Sequence, residues 1–349
     1  MAKILITGTA GFIGSNFVEL FLESNPDSKV ISLDKLTYAG NLENLASVIN
    51  HPRHEFVQGD ICDSKLVESL FQKHGIDSVI HFAAESHVDN SIAGPEAFIQ
   101  TNIVGSFRLL EVCRKFWLDG ASKLKPEFAG ARFVHVSTDE VYGSLGAEGF
   151  FTEDSKYAPN SPYSASKASS DMIARSYWKT YGLPVVITNC SNNYGPKQHG
   201  EKLIPTVIRK ALSGQPIPIY GTGTNVRDWI FVKDHCEAVQ SVFKSGRLGE
   251  TYAIGGDCER TNLDLAQTIC KILDELVPQA SGSSYGSQIQ FVKDRLGHDL
   301  RYAIDAKKVR QELGFSPRTE LSEGLKKTIE WYIEQRQQSE AGRKARASV

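Results

Sequence analysis

The sequence predicts an α/β protein: a doubly wound parallel sheet in the N-terminal half, followed by a smaller, mixed α/β lobe. Three observations predict it. Short apolar runs alternate with stretches of helical spacing over residues 1–191. The runs are apolar throughout, as strands covered on both faces require. The first run leads directly into a glycine-rich turn and then a helix, the order of a dinucleotide-binding unit.

Taken in order, Lys3–Thr7 reads as a strand and Phe12–Leu22 as a helix. Lys29–Leu33 is a strand, Asn41–Ile49 a helix, Glu55–Val57 a short strand and Lys65–Lys73 a helix. Ser78–Ala83 is a strand and Glu96–Trp117 one long helix. Arg132–Ser137 is a strand, Ser164–Tyr181 a helix and Val185–Thr188 a strand. After about Asn192 the alternation loosens. Strands at Ile217–Tyr220, Asp228–Val232, Thr251–Ile254 and Ile289–Val292 mix with helices at Leu203–Leu212, Asp234–Phe243, Leu263–Leu276 and Ser322–Gln335. This suits a smaller substrate lobe over 192–335 that partly returns to the sheet. Gln279–Ser287 reads as a loop by composition, and 336–349 as a frayed, basic tail.

The chain of 349 residues has a formal net charge of −2, so neither nucleic-acid binding nor a solvating acidic tail is expected. Its longest apolar runs are strand-sized, so no membrane span is expected, and the N-terminus has no signal-peptide pattern. Six cysteines without a Cys-x-x-Cys pair read as reduced thiols of a cytoplasmic protein, with no metal site expected.

Gly8, Gly11 and Gly14, in Gly8-Thr9-Ala10-Gly11-Phe12-Ile13-Gly14, permit a tight turn and a close approach of backbone to a pyrophosphate. The helix N-terminus behind them supplies N–H groups. Asp34, at the end of the second strand, has the spacing of the acid that binds ribose hydroxyls. Its carboxylate would repel a 2′-phosphate, which favours NAD over NADP, and Lys35 beside it is the one cation there. These features make the sheet Rossmann-type. Asp60 and Ile61, after the third strand, are placed to flank an adenine.

Thr138, Asp139 and Glu140 end the Arg132–Ser137 run, where ligands bind in open α/β sheets. Tyr163 and Lys167 share a helix face, and an ammonium near a phenol favours the phenolate, so the tyrosine becomes a base for hydride transfer. Two adjacent carboxyls in a closed site titrate apart, which provides one acid and one base for an elimination. The pair also fits helix capping, solvation or a divalent ion. His81 and His135 lie inside apolar strands and read as core, as do Trp117, Trp178 and Trp331 in helices. Two apolar stripes, Phe107/Leu110/Cys113/Trp117 and Met172/Ile173/Tyr177/Trp178, fit either core packing or a helix-pair homodimer interface through 96–117 and 164–181.

Ten motifs from Lys3 to about Tyr332 carry a resemblance. They include T-G-T-A-G-F-I-G (7–14), L-D-K-L-T-Y-A-G-N (33–41), A-A-E-S-H-V-D (83–89), S-T-D-E-V-Y-G (137–143), Y-S-A-S-K (163–167), S-N-N-Y-G-P (191–196), E-K-L-I-P (201–205), P-I-Y-G (218–221), R-D-W (227–229) and D-R-L-G-H-D-L-R-Y-A-I-D (294–305). The chain resembles the extended short-chain dehydrogenase/reductases and, within them, the dTDP-glucose 4,6-dehydratases. The Thr-Asp-Glu triplet discriminates: related sugar-nucleotide epimerases lack the acidic pair. Leu296, where the family commonly has proline, is a small departure.

The resemblance implies an NAD-dependent hydro-lyase converting dTDP-glucose to dTDP-4-dehydro-6-deoxy-glucose, the route to dTDP-L-rhamnose and other deoxysugars. It implies that Tyr163 takes the proton from the carbon-4 hydroxyl, that Thr138 bonds that oxygen and that Lys167 holds the ribose. Glu140 removes the carbon-5 proton and Asp139 protonates the leaving hydroxyl at carbon 6. Phe12, Ile13, Thr37, Ala83, Ala84, Ser86, Thr101 and Asn193 are implied around the cofactor. Arg227 is implied on the diphosphate, and Pro218, Ile219 and Tyr220 around the thymine. Ser86, Thr138, Asn192, Glu201, Lys202, Leu203, Asn262, Asp294, Arg295 and His298 are implied along the rest of the substrate. The alternatives are a dehydratase for UDP- or CDP-glucose, a UDP-hexose 4-epimerase, or a redox-inert NAD-binding regulator.

Overall fold

A computed structural model describes residues 2–120 and 122–347, the side chains of 342–347 excepted. Its centre is one parallel sheet of seven strands. From edge to edge these are Thr251–Ile254, Val185–Cys190, Arg132–Thr138, Ser78–His81, Ala2–Thr7, Ser28–Asp34 and His54–Gln58. The order reverses between Ala2–Thr7 and Ser78–His81, because the chain builds outward to one edge and then returns to build the other. The sheet is the Rossmann-type arrangement that the apolar alternation predicts. Strand residues such as Ile4, Leu5, Ile6, Val79, Ile80 and Phe133 are wholly buried because helices cover both faces.

One face is packed by helices Phe12–Ser24 and Val232–Ser245, the other by Ser64–His74, Ser106–Trp117 and Pro162–Tyr181. The first of these sets crosses the position near Asn192 where the alternation loosens. Val232–Ser245 and the strand Thr251–Ile254 return from the second half to the large sheet. The smaller core gathers helices Leu203–Leu212 and Asn262–Leu276 around Trp229 and Phe231. Its short sheets pair Ile217–Tyr220 with Ile289–Val292, and Val226–Phe231 with both Asn192–Tyr194 and Glu259–Thr261.

Three expectations need correction. Asn41–Ile49 is a single 3₁₀ turn, Leu42–Leu45, followed by turns, not an α-helix. The Asn41 N–H and the Asn44 amide both donate to the Ala10 carbonyl, at 3.0 and 2.9 Å, which pins the segment against the glycine turn. Glu96–Trp117 is helical, but a π-helical stretch, Ile99–Gly105, interrupts it at the cleft. Beyond Gln335 the last helix runs on to Ala347 instead of fraying, through a sequence of strong helix formers. Residues 348–349 of the expected tail lie outside the described residues. Among the described residues no helix is long and apolar enough to cross a membrane.

Candidate active site

Each half of the site begins as a local rule of the chain. The first strand stops at Thr7, and Gly8 turns back at φ +73°; a Cβ there would sit 2.6 Å from the Ala83 nitrogen. Gly14 lies so close to the Gly8 carbonyl that a side chain would run into it. Helix Phe12–Ser24 opens behind this turn on Gly11, with no side-chain cap, so its first N–H groups face the cleft. Asp34 is tied to the turn: its Oδ2 accepts from the Ala10 N–H and its Oδ1 from the Leu36 N–H, both at 2.8 Å. Burial pushes this carboxyl up, opposed by the same two N–H groups. Lys35 points to Asp60, 2.8 Å away, so its charge is matched by protein. The carboxylate at the strand end and the uncapped helix fit a dinucleotide with a free 2′-hydroxyl.

The catalytic half starts where the strand Arg132–Thr138 ends. Thr138 caps a 3₁₀ turn, Asp139–Tyr142, by accepting from the Glu140 N–H at 3.3 Å. The turn ends at Gly143, φ +88°, where a Cβ would strike the Ala158 carbonyl. Helix Pro162–Tyr181 opens with a capping box: Ser161 Oγ accepts from the Ser164 N–H and Ser164 Oγ from the Ser161 N–H, each at 3.0 Å. Pro162 at the first position starts the helix sharply. Tyr163 therefore stands in its first turn and Lys167 one turn on, both buried.

A cleft of about 490 Å³ joins the two halves. Its wall includes Gly8, Gly11, Phe12, Ile13, Gly14, Asp34, Lys35, Thr37, Asp60, Ile61, Ala83, Ala84, Ser86, Thr101 and Asn193 at one end. Thr138, Asp139, Glu140, Tyr163 and Lys167 share this wall with Asn192, Glu201, Lys202, Leu203, Pro218, Ile219, Tyr220, Arg227, Asn262, Arg295 and His298. Asp294 is the exception. Its half-exposed side chain stands outside the wall and accepts from His298 Nδ1 at 2.6 Å, so it steadies a wall residue instead of forming the wall.

Sequence reasoning passed over Tyr302, Glu85 and Asp89, which also line the cleft or brace it. All three stand inside recognised motifs. What the sequence lacks is a direction, because Tyr302 reaches the cleft only by stacking under the Arg227 guanidinium, 4.2 Å from ring centre. That guanidinium also donates to the Asp299 carbonyl at 3.0 Å. Asp89 lies 3.9 Å from Arg295.

The electrostatics separate the two carboxyls. Burial first, then the Glu140 and Asp228 carboxylates, holds Asp139 well above the ordinary carboxylate range. Asp139 is 1% exposed, and its Oδ2 has no partner. Burial also raises Glu140, but the Lys202, Arg295 and Arg227 cations oppose it. The expectation that Lys167 lowers the Tyr163 phenol is not met. Burial and then the Glu140 charge push that phenol well up, while a bond to Thr138 lowers it. Lys167 Nζ instead donates to the Val136 carbonyl at 2.8 Å, and burial lowers its own pKa. His81 and His135 are core residues as expected: His81 bonds Thr7 at 2.7 Å and Ser106 at 2.9 Å.

The sequence profile of a family described as GDP-mannose 4,6 dehydratase matches residues 5–328. A dTDP-glucose 4,6-dehydratase of Xanthomonas campestris pv. campestris is 55% identical over 334 residues, covering 95% of this chain and 93% of that protein. The crystal structure of DesIV, a dTDP-glucose 4,6-dehydratase from Streptomyces venezuelae with NAD and TYD bound, superposes with a TM-score of 0.85. It is 48% identical and covers 96% of this chain and 98% of its own. A UDP-glucose 4-epimerase from Thermotoga maritima, with UDP-glucose, superposes almost as well, with a TM-score of 0.82 at 30% identity, over 95% of this chain and 99% of that one. Fold alone therefore does not separate elimination from epimerisation; the residues in the cleft must.

Proposed function

We propose, from the premise that this chain belongs to the family of the dTDP-glucose 4,6-dehydratases, that it is an NAD-dependent hydro-lyase of deoxysugar biosynthesis. Its reaction converts dTDP-glucose to dTDP-4-dehydro-6-deoxy-glucose. The observation that carries this reading is the Asp139–Glu140 pair, Asp139 buried and Glu140 partly buried, set in the same cleft as Tyr163 and Lys167. An epimerase oxidises and reduces one carbon and has no use for a second acid and base.

Bound NAD would supply a reversible hydride acceptor for the oxidation at carbon 4 and the reduction at carbon 6, so no external reductant would be consumed. The turn at Gly8–Gly14 and Asp34 would hold it, with Lys167 on the nicotinamide ribose. Tyr163 takes the proton of the carbon-4 hydroxyl, and Thr138 steadies that oxygen. With Asp139 protonated, one negative charge near the Tyr163 phenol is removed, which makes this step less costly. The new ketone acidifies the hydrogen at carbon 5, and Glu140, kept ionisable by Lys202, Arg295 and Arg227, removes it. Asp139 donates its proton as the carbon-6 hydroxyl leaves as water. The return of a proton to carbon 5 restores Glu140, and passage of the proton held by Tyr163 to Asp139 through solvent resets the other two groups. Arg227 supplies a planar cation for the diphosphate, and Pro218, Ile219 and Tyr220 bracket the base.

We further infer a cytoplasmic homodimer that pairs helices 96–117 and 164–181 with their copies. Leu110, Cys113 and Trp117 belong to the core, but Phe107 and Met172 stand 44% and 55% exposed on the outer faces of these helices. Light scattering of Phe107→Glu/Met172→Glu tests this, with a monomer expected.

The reading is tested by mass spectrometry after incubation with dTDP-, UDP- and CDP-glucose separately, without reductant. Loss of one water from dTDP-glucose alone is expected. Loss from another nucleotide sugar would move the base assignment, and an unchanged mass with a carbon-4 epimer would replace elimination by epimerisation.

A further inference from the structure

Behind the cleft wall lies a buried polar cluster that none of these roles uses. Asp171 stands one turn beyond Lys167 on helix Pro162–Tyr181 and is 1% exposed. Its Oδ2 accepts from the Tyr157 hydroxyl at 3.0 Å and from Asn189 Nδ2 at 3.1 Å. His135 Nε2 lies 3.1 Å from its Oδ1. Asn189, fully buried on the neighbouring strand, also donates to the Thr138 carbonyl at 3.1 Å and accepts from the Tyr142 hydroxyl at 3.1 Å. Thr138 and Tyr142 are the two ends of the turn that carries Asp139 and Glu140. None of Asp171, Asn189, Tyr142 and Tyr157 reaches the cleft wall.

Burying a carboxylate and an amide costs free energy unless every polar atom finds a partner, and apolar side chains of similar volume would stabilise the sheet as well. What apolar side chains cannot do is set an orientation. This cluster sets one, because it bonds both ends of one short turn to the helix that carries Tyr163 and Lys167. The Asp171 charge also opposes the burial that depresses Lys167.

We infer that Asp171 and Asn189 are positioning residues for the elimination step: they lock the Thr138–Tyr142 turn to the catalytic helix, so that acid, base and hydride-transfer tyrosine meet one substrate. This rests on the dehydratase reading, and the test separates the two. Asn189→Leu removes both bonds to the turn at similar volume, and Tyr142→Phe removes one. With dTDP-glucose, kcat should fall about 10²-fold in the first, as for a displacement of reacting groups by about 1 Å. It should fall about tenfold in the second, the equivalent of one hydrogen bond. KM should stay unchanged in both, since no substrate contact is lost. In the unliganded variants, amide exchange should speed up in segment 138–143 and not in the Gly8–Gly14 turn. Wild-type kcat in both variants, a rise in KM with kcat kept, or unchanged exchange at 138–143 would overturn the inference. Should Asn189→Leu not fold, Tyr142→Phe with wild-type kcat and Tm overturns it alone. A wild-type protein that leaves dTDP-glucose intact sinks the dehydratase reading instead, while the exchange comparison still judges the anchoring.

Discussion

The two ends of the cleft solve opposite problems. At the cofactor end the charged side chains already have protein partners. Asp34 accepts two backbone N–H bonds and Lys35 faces Asp60. At the catalytic end charges are buried and left short of partners. Asp139 has an unpaired oxygen, and both carboxyls and the Tyr163 phenol are shifted by desolvation. The cofactor end pairs its charged side chains and leaves backbone N–H groups open, whereas the catalytic end holds side chains that only substrate completes. Stability therefore resides at one end and reactivity at the other.

If that contrast is right, the catalytic end should lose activity without losing stability. Tyr163→Phe should lower kcat by about 10³-fold, within the usual range for a general base, with unchanged Tm. A normal kcat would remove Tyr163 from the chemistry. Glu140→Gln should cost about as much overall but differently: cofactor binding and carbon-4 oxidation persist while water loss stops. Rapid-mixing absorbance should show reduced nicotinamide accumulating, and normal product formation would sink the assigned role of Glu140.

The cofactor end should fail in the other way. In Gly14→Ala the new methyl meets the Gly8 carbonyl, so the turn must open. The purified variant should carry less bound NAD and melt earlier, and dinucleotide content measured after denaturation checks this.

The pH profile probes the carboxyl pair. kcat should fall on the acid side as Glu140 takes a proton, at a pH higher than for an ordinary glutamate because burial raises it. It should fall on the alkaline side as Asp139 loses its own proton. A kcat that falls on neither side would contradict the acid–base division.

The smallest effect is on stability. Asp139 binds its proton more tightly in the fold than in the unfolded chain. Its contribution is therefore fully present below the ordinary aspartate pKa and is lost as pH rises through the raised value. Asp139→Asn, which cannot ionise, should stabilise the protein at the alkaline end by on the order of 1 kcal/mol while abolishing elimination. Thermal melts across pH decide it.

Much of this was legible in the sequence because it is local. Alternating apolar runs specify a covered parallel sheet. The Gly8–Gly14 spacing specifies a turn, the Asp34 offset a strand end, and a four-residue step puts Tyr163 and Lys167 on one helix face. The Thr138-Asp139-Glu140 triplet specifies two carboxyls at a strand terminus. Each follows from period, spacing and backbone geometry within one or two elements. Other features depended on which distant side chains converge. Asn41–Ile49 yields its helical pattern to Ala10, and Asp294 turns away to hold His298. Tyr302 enters the cleft beneath Arg227, and Asp171 reaches the catalytic turn through Asn189. The direction of the Tyr163 shift belongs here too. Spacing brought Lys167 near it, but burial and then the Glu140 charge push the phenol up, because desolvation depends on everything that excludes water from a group. Only the folded chain sets that.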